Sequence, residues 1–195
     1  MRKIITTTFV TLDGVMQGQG GPEEDTEGGF TQGGWSADYG DDMEAQIIDD
    51  FMKIPFELLL GRKTYDIWAA YWPYTKDAPH IATPFNATKK YVVSHASAEP
   101  SWPNSFLVTG DVVSKIKELK EMDAPDLWVW GSGNLIQTLL NHDLVDEMYI
   151  WTYPVTLGAG KRLFKEGTQP AAFRLASSQV TSKGAIIARY ERAGK

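Results

Sequence analysis

In the stretch WVWGSGNLIQTLL, residues 128–140, apolar residues suited to a buried strand run into two glycines and at once into an apolar helical pattern. A strand that ends on bare backbone and turns directly into a helix is the unit from which parallel sheets with helical crossovers are built. The unit recurs in LLLGRKTYDIW, residues 58–68, and the chain around both stretches keeps alternating. Strands are predicted at 3–12, 56–60, 90–94, 105–108 and 126–130, with helices from about 64, at 112–122 and at 133–141. A further helix starts at Asp41, because Met43, Ile47, Ile48, Phe51, Met52 and Ile54 fall in one arc opposite Asp49, Asp50 and Lys53. The end reads differently: 144–153, 172–181 and 184–191 are three strands, the last two joined at Lys183-Gly184, which predicts an antiparallel hairpin closing one sheet edge. The expected fold class is α/β, a central mainly parallel sheet flanked by helices. With no internal repeat and no second core, 195 residues suit one domain, 1–195.

Between the first strand and the first helix, Asp13 to Gly40 holds nine of the chain's 18 glycines. Loops of this length inside a compact domain are functional or disordered, so the insertion at about 17–40 is either a lid or an unstructured segment. A net charge of −6 argues against the phosphate attraction of a nucleic-acid binder and against a basic membrane-facing surface. Without cysteine there are no disulfides, thiolate metal sites or cysteine nucleophiles, and His80, His95 and His142 show no metal-ligand spacing. No metal is expected. The start MRKIITTTFVTLDG lacks a signal peptide's apolar run and no stretch approaches a membrane span, so a cytoplasmic protein is expected.

In open α/β sheets ligands bind beyond the carboxyl ends of the strands, which makes the residues just after each parallel strand informative. Gly61 is followed by Arg62, Lys63 and Thr64 at a helix start, where positive charge opposes the macrodipole. The two cations point to an anion that supplies the missing charge; Thr64 fits an N-cap, and its hydroxyl could also meet a phosphate. Ser94-His95 after KKYVV is either a plain turn or a polar contact. Gly131 and Gly133 either let a pyrophosphate reach the helix amides or let the helix pack tightly on its strand. The dinucleotide fingerprint G-x-G-x-x-G is incomplete, since Ile136 stands at its third glycine, and there is no Walker A lysine.

Together LLLGRKTYDIW, VWGSGNLIQTLL, DLVDEMYIWTYPVTLGAGKRLF and the early TLDG resemble the dihydrofolate reductase-like superfamily. The resemblance is closest to the reductase domain of the bifunctional riboflavin-biosynthesis deaminase–reductase and its stand-alone bacterial relatives, and only 17–40 falls outside it. It implies an NADPH-dependent reductase, commonly a homodimer, acting on a small substrate. By position, Arg62 and Thr64 match the G-R-x-T motif that holds the cofactor phosphates, with Gly61 and Lys63 beside them as further cofactor-binding candidates, and Ser94 and His95 sit where the family grips the 2′-phosphate. Gly131, Ser132, Gly133 and Asn134 match the turn on the pyrophosphate. Thr11 and Asp13 match the element beside nicotinamide and substrate, and Gly158 lies in the L-G-x-G loop near the same cleft. The zinc-deaminase half is absent, and the acid that dihydrofolate reductases carry on their first helix has no unambiguous counterpart.

Glu44 falls near the middle of the first helix's apolar arc. A carboxylate there either faces the interior or cleft, where desolvation raises its pKa and suits it to protonating a substrate heterocycle, or complements the helix N-terminus from a partly exposed site. Asp13 and Glu44 are therefore the candidate catalytic residues. Trp35, Tyr39, Trp68 and Trp72 line a flat pocket or belong to the core. Tyr149, Trp151 and Tyr153 recur on one face of the strand 144–153 and suggest a dimer contact, unless a loop of the same chain covers them. The expected function is NADPH-dependent hydride transfer to a small conjugated or heterocyclic, pterin- or pyrimidine-like substrate. The alternatives are authentic dihydrofolate reduction and a non-catalytic nucleotide-binding protein.

Overall fold

The computed structural model describes residues 1–194. In chain order the elements are β1 (Ile4–Thr11), α1 (Asp42–Lys53), β2 (Phe56–Gly61), α2 (Arg62–Tyr71), α3 (Pro79–Ala87), β3 (Lys90–Val93), β4 (Ser105–Val108), α4 (Val112–Glu121), β5 (Asp126–Trp130), α5 (Gly133–Asn141), β6 (Glu147–Tyr153), β7 (Phe173–Val180) and β8 (Ile186–Arg192). The strands form one sheet in the order β4-β3-β2-β5-β1-β6-β8-β7. From β4 to β6 every pairing is parallel, while β8 runs antiparallel to both β6 and β7. The fold is thus α/β, a mostly parallel sheet closed at one edge by an antiparallel hairpin.

Burial explains the strand sequences. FELLLG of β2 and DLWVW of β5 are almost continuously apolar because helices cover both faces of the sheet's centre. On one face α1, α2 and α3 pack Phe51, Tyr65 and Phe85 against Trp128, Trp130 and Trp151. On the other, α4 and α5 bring Ile116, Leu135, Ile136 and Leu139 onto Ile4, Leu127 and Val129.

Three expectations change. The one helix expected from about 64 is two, α2 and a separate α3, in a region that carries prolines 73, 79 and 84. Pro79 occupies its first turn, where a missing N–H costs nothing, and Phe85 stacks on Trp68 at 4.7 Å, so packing outweighs the interior Pro84. On α1 the apolar arc is narrower than drawn: Met43 is 42% exposed, and Ile54, the C-cap, is 53% exposed. The aromatic row of β6 is covered by its own chain. Tyr149 meets Phe51 at 4.8 Å, Trp151 meets Phe9 at 5.1 Å, and Tyr153 lies under Trp35 and Tyr39. Met148 and Ile150 pack on the opposite face, so of the two readings of this row the structure shows cover by the chain itself.

The glycine-rich segment after β1 is folded, with short 3-10 turns at Glu27–Gly29 and Ala37–Tyr39. Buried Phe30 and Trp35 anchor it in the core. Gln17 ties it together: its side-chain amide donates to the carbonyls of Asp25 and Glu27, its side-chain oxygen accepts Lys161 N–H, and its carbonyl accepts the Trp35 indole N–H.

Candidate functional site

At the sheet's centre the chain changes direction. From β2 it leaves through α2 and α3 towards β3; from the adjacent β5 it leaves through α5, on the opposite face, towards β6. A crevice opens at such a switch point, beyond the strand carboxyl ends. Here it is a cavity of about 1420 Å³, above the roughly 300–1,000 Å³ typical of a small-ligand site. Gly61, Arg62, Lys63, Thr64, Ser94, His95, Gly131, Ser132, Gly133 and Asn134 all line it.

The two glycine junctions are hydrogen-bonded to one another. Gly131 (φ 56) and Ser132 (φ 53) both adopt left-handed backbone, which turns β5 sharply into α5. Ser132 Oγ accepts Gly61 N–H at 3.0 Å and donates to Trp130 O at 3.0 Å, while Thr64 Oγ1 accepts Ser132 N–H at 3.1 Å. Thr64 is therefore not the cap of α2, which is Gly61; its hydroxyl braces the neighbouring turn. In α5 the first amide to reach a carbonyl is that of Ile136, on Ser132 O. The amides of Gly133, Asn134 and Leu135, like those of Arg62, Lys63 and Thr64 in α2, have no helical carbonyl to bond. Two helix N-termini thus meet in one cavity, an arrangement suited to an anion with several charged groups. A methyl group on Gly133 would meet only Met16, with Sδ at 2.8 Å, so this glycine leaves room in the cavity and is not needed for helix–strand packing.

The cations are engaged inside the chain. Arg62 forms a two-oxygen contact with Asp66 at 2.9 and 3.0 Å and reaches Ala98 O at 2.7 Å. Lys63 holds Asp25 at 2.7 Å and Glu27, and Lys161 holds the same two carboxylates at 2.8 and 2.6 Å. The charge expected from an external anion beside Lys63 is supplied here by the segment after β1. Although partial burial works against it, the two ammonium groups hold the Asp25 carboxyl below its usual value, and they do the same for exposed Glu27. Ser94 is buried, its hydroxyl accepting Ala96 N–H, whereas His95 is exposed.

Four candidate residues lie outside the cavity lining. Thr11 donates to Asp13 at 2.6 Å, and Asp13 accepts Leu157 N–H at 3.2 Å and Gly158 N–H at 2.8 Å. Thr11, Asp13 and Gly158 thus spend their polar groups clamping the end of β1 to the turn after β6. Hydrogen bonding by Thr11, and then by these amides, holds the Asp13 carboxyl down at about 2. Because that folded-state value lies below the ordinary 3.8, the clamp's contribution to stability is complete above about pH 4 and is lost as pH falls towards 2. Asp13→Asn is expected to flatten acid unfolding across that window, read by circular dichroism; an unchanged profile would count against the clamp. Glu44 faces inward, but its Oε1 accepts the Tyr153 hydroxyl at 2.8 Å and its Oε2 is buried without a protein partner. Burial, only partly offset by that hydrogen bond, raises its pKa.

Sequence reasoning missed the Met16–Asp25 wall, Lys161 and Arg162. The Lys161-Arg162 pair directly after the L-G-x-G loop was the available signal. Of the four aromatic candidates, Trp68 and Trp72 line the cavity, while Trp35 and Tyr39 cover Tyr153.

Residues 2–187 match the family model of the RibD C-terminal domain. The uncharacterized protein YyaP of Bacillus subtilis (strain 168) is 29% identical over 196 residues, covering 97% of this chain and 94% of its own. A solved structure ascribed to riboflavin biosynthesis, from Shewanella sp. PV-4, is similar at a TM-score of 0.72 and 24% identity, covering 97% and 98% of the two chains. Dihydrofolate reductase from Enterococcus faecalis, complexed with NADP(H) and RAB-propyl, shares the fold at a TM-score of 0.60 and 13% identity, covering 98% of this chain and 96% of that one.

Proposed function

The chain belongs to the RibD C-terminal domain family, and from that premise we propose that it is a reductase using NADPH to deliver hydride to a small conjugated or heterocyclic substrate. The observation that carries the reading is the meeting of two helix N-termini and a glycine turn at the mouth of an aromatic-walled cavity. When bound, NADPH supplies the hydride and departs oxidised. The protein's part is to hold phosphates on the free amides of α2 and α5, to meet the 2′-phosphate with Arg62, Ser94 and His95, and to keep the reacting rings together between apolar walls.

No carboxylate on α1 lines the cavity, which weighs against authentic dihydrofolate reduction: Glu44 is bonded to Tyr153. Among the described residues the aromatic wall carries no carboxylate or imidazole, and the proton that accompanies hydride is taken from solvent. A homodimer and a cytoplasmic setting remain part of the proposal, the former without β6 as its interface. No helix of the described residues is long and apolar enough to cross a membrane.

NADPH is expected to bind at least about tenfold more tightly than NADH, a difference of about 1.4 kcal/mol. Titrations of both at fixed salt test this, and equal affinities would reject the assignment of Arg62, Ser94 and His95. NADPH oxidation followed against a panel of conjugated carbonyls and heterocycles tests the reaction. Tight binding with no oxidation by any acceptor would favour a non-catalytic nucleotide-binding protein.

A further inference from the structure

Beyond the L-G-x-G loop the chain makes a turn that brings Lys165 to the start of α5. Leu163 is buried in the core shared with Leu135, Ile136 and Leu139 of that helix. Two residues on, Thr168 N–H donates to Lys165 O at 3.0 Å and Gly167 takes left-handed backbone (φ 86), which closes a tight turn. Gln137, a buried polar residue of α5, fastens the turn at both ends: its amide donates to Leu163 O at 2.6 Å, and its side-chain oxygen accepts the Thr168 hydroxyl at 2.8 Å. The Lys165 ammonium then donates to Asn134 Oδ1 at 3.0 Å, on the second residue of α5.

The lysines and arginines that line the cavity are Arg62, Lys63, Lys161, Arg162 and Lys165. Arg62 pairs with Asp66, Lys63 and Lys161 share Asp25 and Glu27, and Arg162 lies 3.6 Å from Asp13. Among the described residues Lys165 alone of the five has no carboxylate at ion-pair distance; its partner is the neutral Asn134, and Glu166 on the same turn does not pair with it. Its position also runs against the helix, because positive charge at an N-terminus opposes the macrodipole where a carboxylate would favour it. The Gln137 bonds already hold the turn, so the charge beside Asn134 adds nothing to the fastening. An anion lying on the free amides of Gly133, Asn134 and Leu135 would turn this unfavourable charge into a favourable one.

We infer that Lys165 is the cation that grips the diphosphate of the bound nucleotide, and that Gln137 is the positioning residue that holds it over the start of α5. The nicotinamide identity of that nucleotide rests on the reductase reading above; the diphosphate contact does not, since ADP carries the same group. On a flexible stem the ammonium can turn from Asn134 to a phosphate oxygen and make a charge-assisted hydrogen bond there. The nucleotide is thereby divided between two sets of residues. Lys165 and the α5 amides act on the diphosphate, which NADPH and NADH share, while Arg62, Ser94 and His95 act on the 2′-phosphate that only NADPH has.

Lys165→Met keeps most of the stem and removes the charge. In calorimetric titrations it is expected to weaken NADPH, NADH and ADP each about tenfold, the scale of one hydrogen bond to a charged group. The preference for NADPH over NADH should stay as in the native chain, and so should the affinity for adenosine 2′-monophosphate, which has no diphosphate. Lys165→Arg should restore most of the loss. Gln137→Leu, which unties the turn, should reproduce part of it, again with adenosine 2′-monophosphate unaffected; native ADP affinity in that variant would overturn the positioning role. Unchanged ADP affinity in Lys165→Met overturns the inference, as does an equal loss for adenosine 2′-monophosphate, which would mark damage to the whole site. ADP binding that depends on Lys165, in a chain that takes up neither NADPH nor NADH, would sink the reductase reading and spare this assignment. NADPH binding and oxidation that Lys165→Met leaves at native levels would do the reverse, and a native chain that binds none of these nucleotides overturns both.

Discussion

The double variant Asp25→Asn, Glu27→Gln is expected to bind NADPH about tenfold more tightly than the native chain. In the structure these two carboxylates take up the ammonium groups of both Lys63 and Lys161 beside the α2 N-terminus. A cofactor bearing several phosphates must displace them or lie against them. At about 4 Å in water one charge pair is worth about 1 kcal/mol, so removing two repulsive charges and freeing two lysines amounts to roughly a tenfold change in affinity. The gain should shrink as ionic strength rises and the Debye length falls below about 10 Å. Lys63, Lys161 and Glu27 face solvent and only Asp25 is mostly covered, so the loss of the cluster should cost little stability. Weaker binding in the double variant would mean that Asp25 and Glu27 hold the lysines in place for the phosphates instead of competing with them. Fluorescence titration at two salt concentrations, alongside urea unfolding, separates these outcomes.

The fold was legible because its signals are local. A strand buried on both faces must be apolar throughout, a helix that packs on one side repeats every three to four residues, and a sharp strand-to-helix turn requires bare backbone. β2, β5 and α5 obey all three rules, and their junctions carried the positions of the cavity as well. What escaped was set by contacts between distant residues. Helix α3 exists because Phe85 fits between Trp68 and Trp72, which no reading of its prolines could supply. Lys63 looked like an unpaired cation because its partners lie 36 and 38 positions away in a loop whose own course depends on Gln17, Phe30 and Trp35. Asp13 carried a motif's promise of substrate contact, yet its carboxylate is spent on two amides more than 140 residues later. Glu44 was placed inward by its position on the wheel, and the structure keeps it inward, but the wheel gives no information on which inner group receives it. That group is Tyr153, outside the cavity.

Gly133→Ala is expected to lower NADPH affinity tenfold or more while leaving the melting temperature unchanged or slightly raised. Gly133 opens α5 with backbone outside the left-handed region, so alanine can adopt its conformation. Alanine also restricts the unfolded chain more than glycine does, which favours folding by about 0.4–1 kcal/mol. Against that stands only the Met16 thioether, 2.8 Å from the added methyl and at the end of a flexible side chain. On the cavity side the methyl sits beside the free amides of Gly133, Asn134 and Leu135, where a pyrophosphate must approach the backbone, and a tenfold loss corresponds to about 1.4 kcal/mol. Gly131→Ala supplies the contrast: at φ 56 an L-residue is strained by roughly 1–2 kcal/mol, so that variant should lose stability. Adding Met16→Ala to Gly133→Ala removes the one internal collision. Affinity that stays low in this double variant means the methyl itself obstructs the phosphate, whereas recovery would mean it acted by pushing Met16 into the cavity. A Gly133→Ala protein that melts earlier but binds NADPH as the native chain does would refute the role given to this turn.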